Sequence, residues 1–144
     1  MIILSQKKLG IIRQILNSID AVAAAYLFGS AVQPSPAGVN DLDLLILPTP
    51  ENDQFEVMYQ VSTGVAEVLN MSADDVDVLI FDLKLADPEV LCQAVTSGVL
   101  LKNYTPEALM YCIEELSTYF MANDYLLLEG KRLQQEIVEE YTSG

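Results

Sequence analysis

The sequence of 144 residues contains no histidine and only two cysteines, Cys92 and Cys112. Without imidazole the chain cannot carry serine–histidine or cysteine–histidine nucleophiles, and zinc sites that depend on histidine are excluded as well. Both cysteines have apolar neighbours at helical spacing, which favours buried thiols over reactive ones. These features suit a reducing compartment, and we expect the protein to act in the cytoplasm.

Basic residues are also scarce: the sequence has seven lysines and arginines and 21 aspartates and glutamates, which gives a net charge of −14. Neutralising nucleic-acid phosphates needs clustered lysine and arginine, so we expect no direct binding to nucleic acid. An acidic surface instead suits divalent cations, a basic protein partner or simple solubility.

Long apolar runs are missing too. The longest strictly apolar run, residues 21–28, is far too short to cross a bilayer, so we expect no contact with membranes. The first residues, MIILSQKK, run from apolar to basic, the reverse of a secretory signal, and we expect none. An apolar fraction of 51% argues against disorder, and the length predicts one domain over residues 1–144.

Hydrophobic periodicity and capping residues predict the element order α-β-β-α-β-α-(β)-α. The predicted helices cover about residues 5–18, 53–70 and 87–98, and the predicted strands cover 22–28, 41–47 and 76–81, with a loop at 34–38 and a short extended segment at VLLKN. A helical tract follows from about residue 105 to 141, with a break near Gly130. The fold class predicted is therefore α/β (α+β), a small mixed sheet with packed helices and a long C-terminal helical tract.

Two aspartates, Asp41 and Asp43, open the second predicted strand. Alternate side chains of a strand share a face, so the two carboxylates should lie about 7 Å apart while Leu42 and Leu44 face the core. Carboxylates beside a core need compensation by cations or hydrogen-bond donors. Mg²⁺ takes oxygen ligands and usually shares them with substrate phosphates, so the pair predicts a magnesium site.

The third predicted strand repeats this pattern in DDVDVLIFD. Asp77 lies inside the apolar run and would complete a cluster of three carboxylates with Asp41 and Asp43. Asp75 falls on the same strand face, but Asp77 is flanked by two valines and should lie deeper, which favours it as the third carboxylate. The alternative is that residues 74–77 form a solvated turn before the strand.

Gly29 and Ser30 end the first predicted strand. Glycine permits a tight turn with close backbone approach, and the serine hydroxyl and amide suit a phosphate oxygen. A Gly–Ser pair alone is usually just a turn. Between a buried strand and an acid–apolar–acid strand, it indicates a phosphate site.

Gly29-Ser30, ten residues and then Asp41-Leu42-Asp43 resemble the nucleotidyltransferase signature of the DNA polymerase beta superfamily. The resemblance covers roughly residues 10–103, because DVDVLIFDL is similar to the strand of the third carboxylate and VLCQAVTSGVLLKN to the helix and glycine turn that follow. The length and the flanking segments resemble its minimal nucleotidyltransferases, the MntA-type antitoxins that pair with HEPN-domain (HepT) toxins.

The resemblance implies a polymerase beta-like fold and a Mg²⁺-dependent protein adenylyltransferase, the antitoxin of a type VII-like pair. Its substrate would be ATP, and it would transfer AMP to a tyrosine of a HEPN ribonuclease toxin and so inactivate it. Gly29 and Ser30 would bind the nucleotide. Asp41, Asp43 and Asp77 would be catalytic and would bind two Mg²⁺ ions, an arrangement that clamps the attacking and leaving oxygens.

One departure from the family leaves an alternative open. Family members carry a small residue, a glycine and an arginine shortly after Gly–Ser, where this chain reads AVQPSPAGVN. No lysine or arginine lies between Arg13 and Lys84, so positive charge for the triphosphate would come from metal, from Lys84 or Lys102, or from a partner. The alternative hypothesis is a nucleotidyltransferase-fold antitoxin that neutralises the toxin by binding alone. A small-molecule nucleotidyltransferase usually needs a substrate domain for which this chain has no room.

The C-terminal tract carries more apolar side chains than one face of a small sheet needs. They are Leu109, Tyr111, Cys112, Ile113, Leu116, Tyr119, Phe120 and residues 125–128. Packing within the chain is one explanation, and a helix that binds a mostly helical toxin is the other.

Overall fold

The computed structural model describes residues 4–32 and 41–122. Its helices are α1 (Gln6–Ser18), α2 (Gln54–Leu69), α3 (Pro88–Ser97) and α4, which occupies residues 106–122 at the end of the described part. Its strands are β1 (Val22–Phe28), β2 (Leu42–Pro48), β3 (Val76–Ile80) and β4 (Val99–Asn103). Single 3₁₀ turns follow β1 (Gly29–Ala31) and precede β3 (Ala73–Asp75).

Side-chain caps set where the first three helices begin. Ser5 accepts a hydrogen bond from the backbone N–H of Lys8 at 3.2 Å. Asp53 and Asp87 each accept one at 2.9 Å from the backbone N–H two residues further on. Pro88 takes the first turn of α3, where its missing N–H costs nothing. These caps confirm the predicted helix starts, because each satisfies an N–H that the helix itself leaves unpaired.

The four strands form one mixed sheet in the order β3-β2-β1-β4. β1 pairs antiparallel with β2 and with β4, whereas β2 pairs parallel with β3. The VLLKN segment is thus a strand at the sheet edge, and the mixed sheet predicted from the sequence is confirmed.

Helices cover both faces of this sheet. The buried side chains of α1 and α2 pack with one face, and those of α3 and α4 pack with the other. Along β2, Leu42 and Leu44 face α1 and α2, while Leu45 faces α3 and α4. Because strand side chains alternate, Asp43 lies on the α3/α4 side, at the end of the strand where that core layer stops.

The observed strand bounds differ slightly from the predicted ones. β2 begins at Leu42 rather than Asp41, and β3 ends at Ile80 rather than Phe81. The predicted loop at 34–38, the tract beyond residue 122 and its break at Gly130 lie outside the described residues. Within the described ranges, no helix combines the length and hydropathy that a membrane span requires.

Candidate active site

The acidic side chains of the signature meet where β1 ends and where β2 and β3 begin. In the parallel pair, Asp43 stands opposite Asp77, and in the antiparallel pair Asp43 stands opposite Phe28. Gly29 and Ser30 follow Phe28 directly in the 3₁₀ turn. The strand register therefore brings the Gly–Ser turn, Asp43 and Asp77 to one edge of the sheet, which we call the acidic edge.

Asp41 completes this edge from the residue just before β2, where its side chain is exposed. The Ser30 hydroxyl donates a long hydrogen bond, 3.5 Å, to the backbone carbonyl of Asp41. This contact joins the Gly–Ser turn to the start of the acidic strand.

Asp43 is the half-buried member of the acidic edge, and its environment disfavours ionisation. Burial raises the pKa of the Asp43 carboxyl, and the nearby charges of Asp77 and Asp41 and a hydrogen bond with the Asp77 side chain raise it further. A hydrogen bond between two carboxyl groups requires a proton on one of them. A bound cation would offset the repulsion between these carboxylates.

The side-chain atoms of the acidic edge that could bind a metal are all oxygens, the ligands that a hard divalent cation such as Mg²⁺ prefers. Within residues 4–32 and 41–122, no three or more carboxylate or thiol side chains stand close enough together to hold a metal ion by themselves. Mg²⁺ keeps several waters and is commonly held by one or two carboxylates plus substrate phosphates. Asp43 and Asp77, with Asp41 beside them, fit that mode of binding and do not form a closed protein cage.

Gly29 lies against Asp43 and adopts a left-handed backbone with φ +74°. A Cβ atom at Gly29 would overlap the Asp43 Oδ2 atom and lie 3.1 Å from its Cγ. Glycine is therefore required here both for the turn and for the space that the Asp43 carboxylate occupies.

The structure separates Asp75 from Asp77, but for a different reason than depth. Asp75 ends the 3₁₀ turn before β3 and is half-buried, whereas Asp77 is exposed, so the prediction that Asp77 lies deeper is wrong. Asp77 is distinguished instead by its register opposite Asp43. The solvated turn considered as an alternative ends at Asp75 and does not include Asp77.

Lys102 does not reach the acidic edge. It is buried, and its ammonium donates hydrogen bonds to the carbonyls of Leu16 (3.0 Å) and Ile19 (2.9 Å) at the end of α1. Burial lowers the pKa of Lys102, and the charge of Asp20 acts in the opposite direction. The suggestion that Lys102 supplies charge to a triphosphate is wrong, because this ammonium already neutralises the carbonyl end of a helix.

Lys84 also lies away from the acidic edge. It follows the end of β3 (Val76–Ile80), whereas Asp77 lies at the start of that strand, so the two residues belong to opposite edges of the sheet. Positive charge at the acidic edge must therefore come from a source other than these two lysines.

The free energy of unfolding of the isolated protein should depend on pH through Asp43. The pKa of Asp43 is raised in the folded state, so the protonated carboxyl favours folding. This contribution to the free energy of unfolding is complete below the unfolded pKa of about 3.9 and is lost as the pH rises through the folded pKa. Asp43→Asn should therefore stabilise the metal-free protein at about pH 7 and have little effect at about pH 3. Urea denaturation of both proteins across this range measures the difference. A constant difference at all pH values would show that Asp43 ionises normally.

A comparison with known families adds to this geometry. The family described as "Polymerase beta, Nucleotidyltransferase" matches residues 11–107, a range that holds the Gly–Ser turn and all three aspartates. Among curated proteins, none matches the chain significantly.

Several solved structures share the fold. A chain of the tri-AMPylated Shewanella oneidensis HEPN toxin in complex with MNT antitoxin is 21% identical, with a TM-score of 0.57, over 94% of this chain and 99% of that one. A chain of the MntA–HepT toxin–antitoxin is 20% identical, with a TM-score of 0.57, over 93% of this chain and 99% of that one. A chain of the toxin–antitoxin with AMP-PNP is 21% identical, with a TM-score of 0.59, over 90% of this chain and 98% of that one. At these identities the likeness establishes the polymerase beta-like fold.

Proposed function

Since the chain belongs to the polymerase beta nucleotidyltransferase family, we propose that it is a cytoplasmic, single-domain antitoxin that transfers AMP from ATP to a tyrosine of a HEPN-domain (HepT-like) toxin. The observation that carries this proposal is the strand register that sets Asp43 opposite Asp77 beside the Gly29–Ser30 turn. The partners named for the similar structures support it, since they include an AMPylated HEPN toxin and an ATP analogue.

In this proposal Asp41, Asp43 and Asp77 would hold two Mg²⁺ ions together with the substrate phosphates, while Gly29 and Ser30 would bind the nucleotide. Bound magnesium would neutralise the triphosphate and stabilise the attacking and leaving oxygens. The Ser30 hydroxyl and the amides of the 3₁₀ turn would donate to phosphate oxygens, and the position of that turn directly after β1 at the acidic edge supports this role.

The transfer itself is a displacement at the α-phosphorus of ATP. The toxin tyrosine oxygen forms the new P–O bond, the bond between the α-phosphorus and the bridging oxygen breaks, and pyrophosphate leaves. The phenolic proton needs an acceptor at the acidic edge. Asp77 is suited to that role because its carboxylate is exposed to an incoming substrate, whereas that of Asp43, its register partner on β2, is half-buried.

Modification would silence the toxin through charge and bulk. An AMP group near a ribonuclease site adds a phosphate that repels the RNA backbone and fills space that the RNA needs. The antitoxin therefore needs no basic surface of its own, which agrees with its net charge of −14.

A second candidate function is neutralisation of the toxin by binding alone. The placement of Lys84 and Lys102 away from the acidic edge favours it, since the site lacks the positive charge that these residues would have provided for a triphosphate. In that case the acidic edge would be a remnant, and toxin inhibition would require neither ATP nor metal.

Incubation with labelled ATP, Mg²⁺ and the cognate HEPN-domain toxin tests the proposal. We expect label to appear on the toxin, mass spectrometry to locate AMP on a tyrosine, and EDTA to stop the reaction. A toxin whose modified tyrosine is replaced by phenylalanine is the matched control and should remain unlabelled. Toxin that is inhibited without any label would support the binding-only function and contradict the transferase.

A further inference from the structure

Helix α4 has an outer face whose large side chains are exposed in the part of the chain that the structure describes. Its inner face, with Leu109 and Leu116, is buried in the core layer that α3 and the sheet share. On the outer side, Tyr111 is 64% exposed and Met110 is 55% exposed. Large apolar side chains left in water along one helix are typical of a binding surface.

The outer side of α4 also carries a groove of about 460 Å³ in which two tyrosines flank two carboxylates. Its lining residues, which we call the α4 face, are Tyr111, Glu114, Glu115, Thr118 and Tyr119. No lysine or arginine occurs anywhere in residues 103–130, so no basic residue of the helix itself offsets the two glutamates. Aromatic rings beside carboxylates attract cationic side chains through both ion pairing and cation–π contacts.

We propose that the α4 face docks a segment of the HEPN-domain toxin that carries lysine or arginine side chains. This inference rests on the proposed function for the identity of the partner, and on charge complementarity for the chemistry of the contact. Tyrosine is among the residues that contribute most to the binding energy of interfaces, and carboxylates around it select a basic partner.

The position of the α4 face suits a partner that must also reach the acidic edge. α4 packs on the side of the sheet to which Asp43 projects. Glu115 and Cys112 line a cavity together with Asp82 and Lys84, just past the end of β3 and therefore at the strand ends opposite the acidic edge. Asp82 is five residues along the chain from Asp77, which is at most about 17 Å at the rise of a strand because β3 ends at Ile80. A toxin that buries about 800 Å² on its side of a standard interface can span that distance.

Charge reversal with a matched control tests the docking surface. Glu114→Lys/Glu115→Lys should weaken toxin binding, measured calorimetrically without ATP, by about 10-fold or more. Glu56→Lys/Glu67→Lys makes the same change in net charge at exposed residues of α2, on the opposite side of the sheet, and should leave the Kd within about 3-fold. Circular dichroism melts establish that all variants are folded.

A substitution that leaves the net charge unchanged tests whether the aromatic side chains of the α4 face contribute to binding. Tyr111→Ala should weaken binding by about 5-fold or more, the scale for loss of an interface tyrosine, and should raise the KM for the toxin without lowering kcat. Equal losses in the α4 and α2 double variants would overturn the inference, and so would a toxin that does not bind the unaltered chain. Self-association that the α4 variants abolish in the absence of toxin would assign the face to a second copy and overturn it as well.

These results also separate the inference from the proposed function. Binding that depends on the α4 face without any AMP transfer would leave the inference standing and remove the transferase. AMP transfer that proceeds while the α4 double variant binds toxin with unchanged Kd would overturn the inference and leave the transferase standing.

Discussion

Asp77→Asn is expected to lower AMP transfer to the toxin by at least about 100-fold, the scale for removing one preorganised electrostatic group from a reaction centre. Asp75→Asn should leave the rate within about 2-fold, as expected for a substitution away from the reacting groups. The contrast follows from register, because Asp77 stands opposite Asp43 while Asp75 ends the preceding 3₁₀ turn. Asp77→Asn should retain nucleotide binding, since Asp41 and Asp43 are unchanged.

The two substitutions form a matched pair, because each removes one negative charge and they lie two residues apart. A transfer assay on both, with circular dichroism as the test of folding and ATP binding measured separately, decides between the two aspartates. Full activity in Asp77→Asn together with none in Asp75→Asn would overturn the assignment of the third carboxylate.

The helices and strands were predictable because their signals are local. Ser5 and Asp53 cap helices through hydrogen bonds to residues two or three positions away, so the capping signal is contained in a few consecutive letters. The strands are equally visible, since continuous apolar runs bounded by turn residues mark strands covered on both faces. What could be predicted at the acidic edge, for the same local reason, was the placement of Asp43 near the start of β2, whereas Asp41 lies just before that strand.

The contacts between distant segments could not be predicted from such signals. The hydrogen bond from Lys102 to the carbonyl of Leu16 joins positions 86 apart, and nothing in either segment indicates the other. Depth along a strand is likewise a tertiary property. Asp77 has valines on both sides in the sequence, yet its side chain is exposed because it stands near the sheet margin where β3 begins. Register, rather than local hydropathy, determines which carboxylates meet.

The largest combined effect on stability and activity is expected at Gly29. In Gly29→Ala the backbone would have to hold a non-glycine residue at φ +74°, which costs about 1–2 kcal/mol. The new methyl group would also overlap the Asp43 carboxylate and displace it. Because a displacement of about 1 Å at a reacting group can cost about 100-fold in rate, we expect transfer to fall at least that far. Gly10→Ala is the control, since open space surrounds Gly10 inside α1 and alanine there should stabilise the protein by about 0.5–1 kcal/mol without changing transfer.

A double-mutant cycle in urea separates the clash with Asp43 from the strain at φ +74°. In the Asp43→Ala background the carboxylate is gone, and the remaining Cβ of residue 43 would lie 3.3 Å from the new methyl group, a tight but tolerable contact. Gly29→Ala should then cost only the backbone strain, so its destabilising effect should be smaller than in the unaltered chain. An equal cost in both backgrounds would show that Gly29 serves the turn alone. A smaller cost beside Asp43→Ala would show that the glycine of the Gly–Ser pair is also required to make room for the half-buried aspartate.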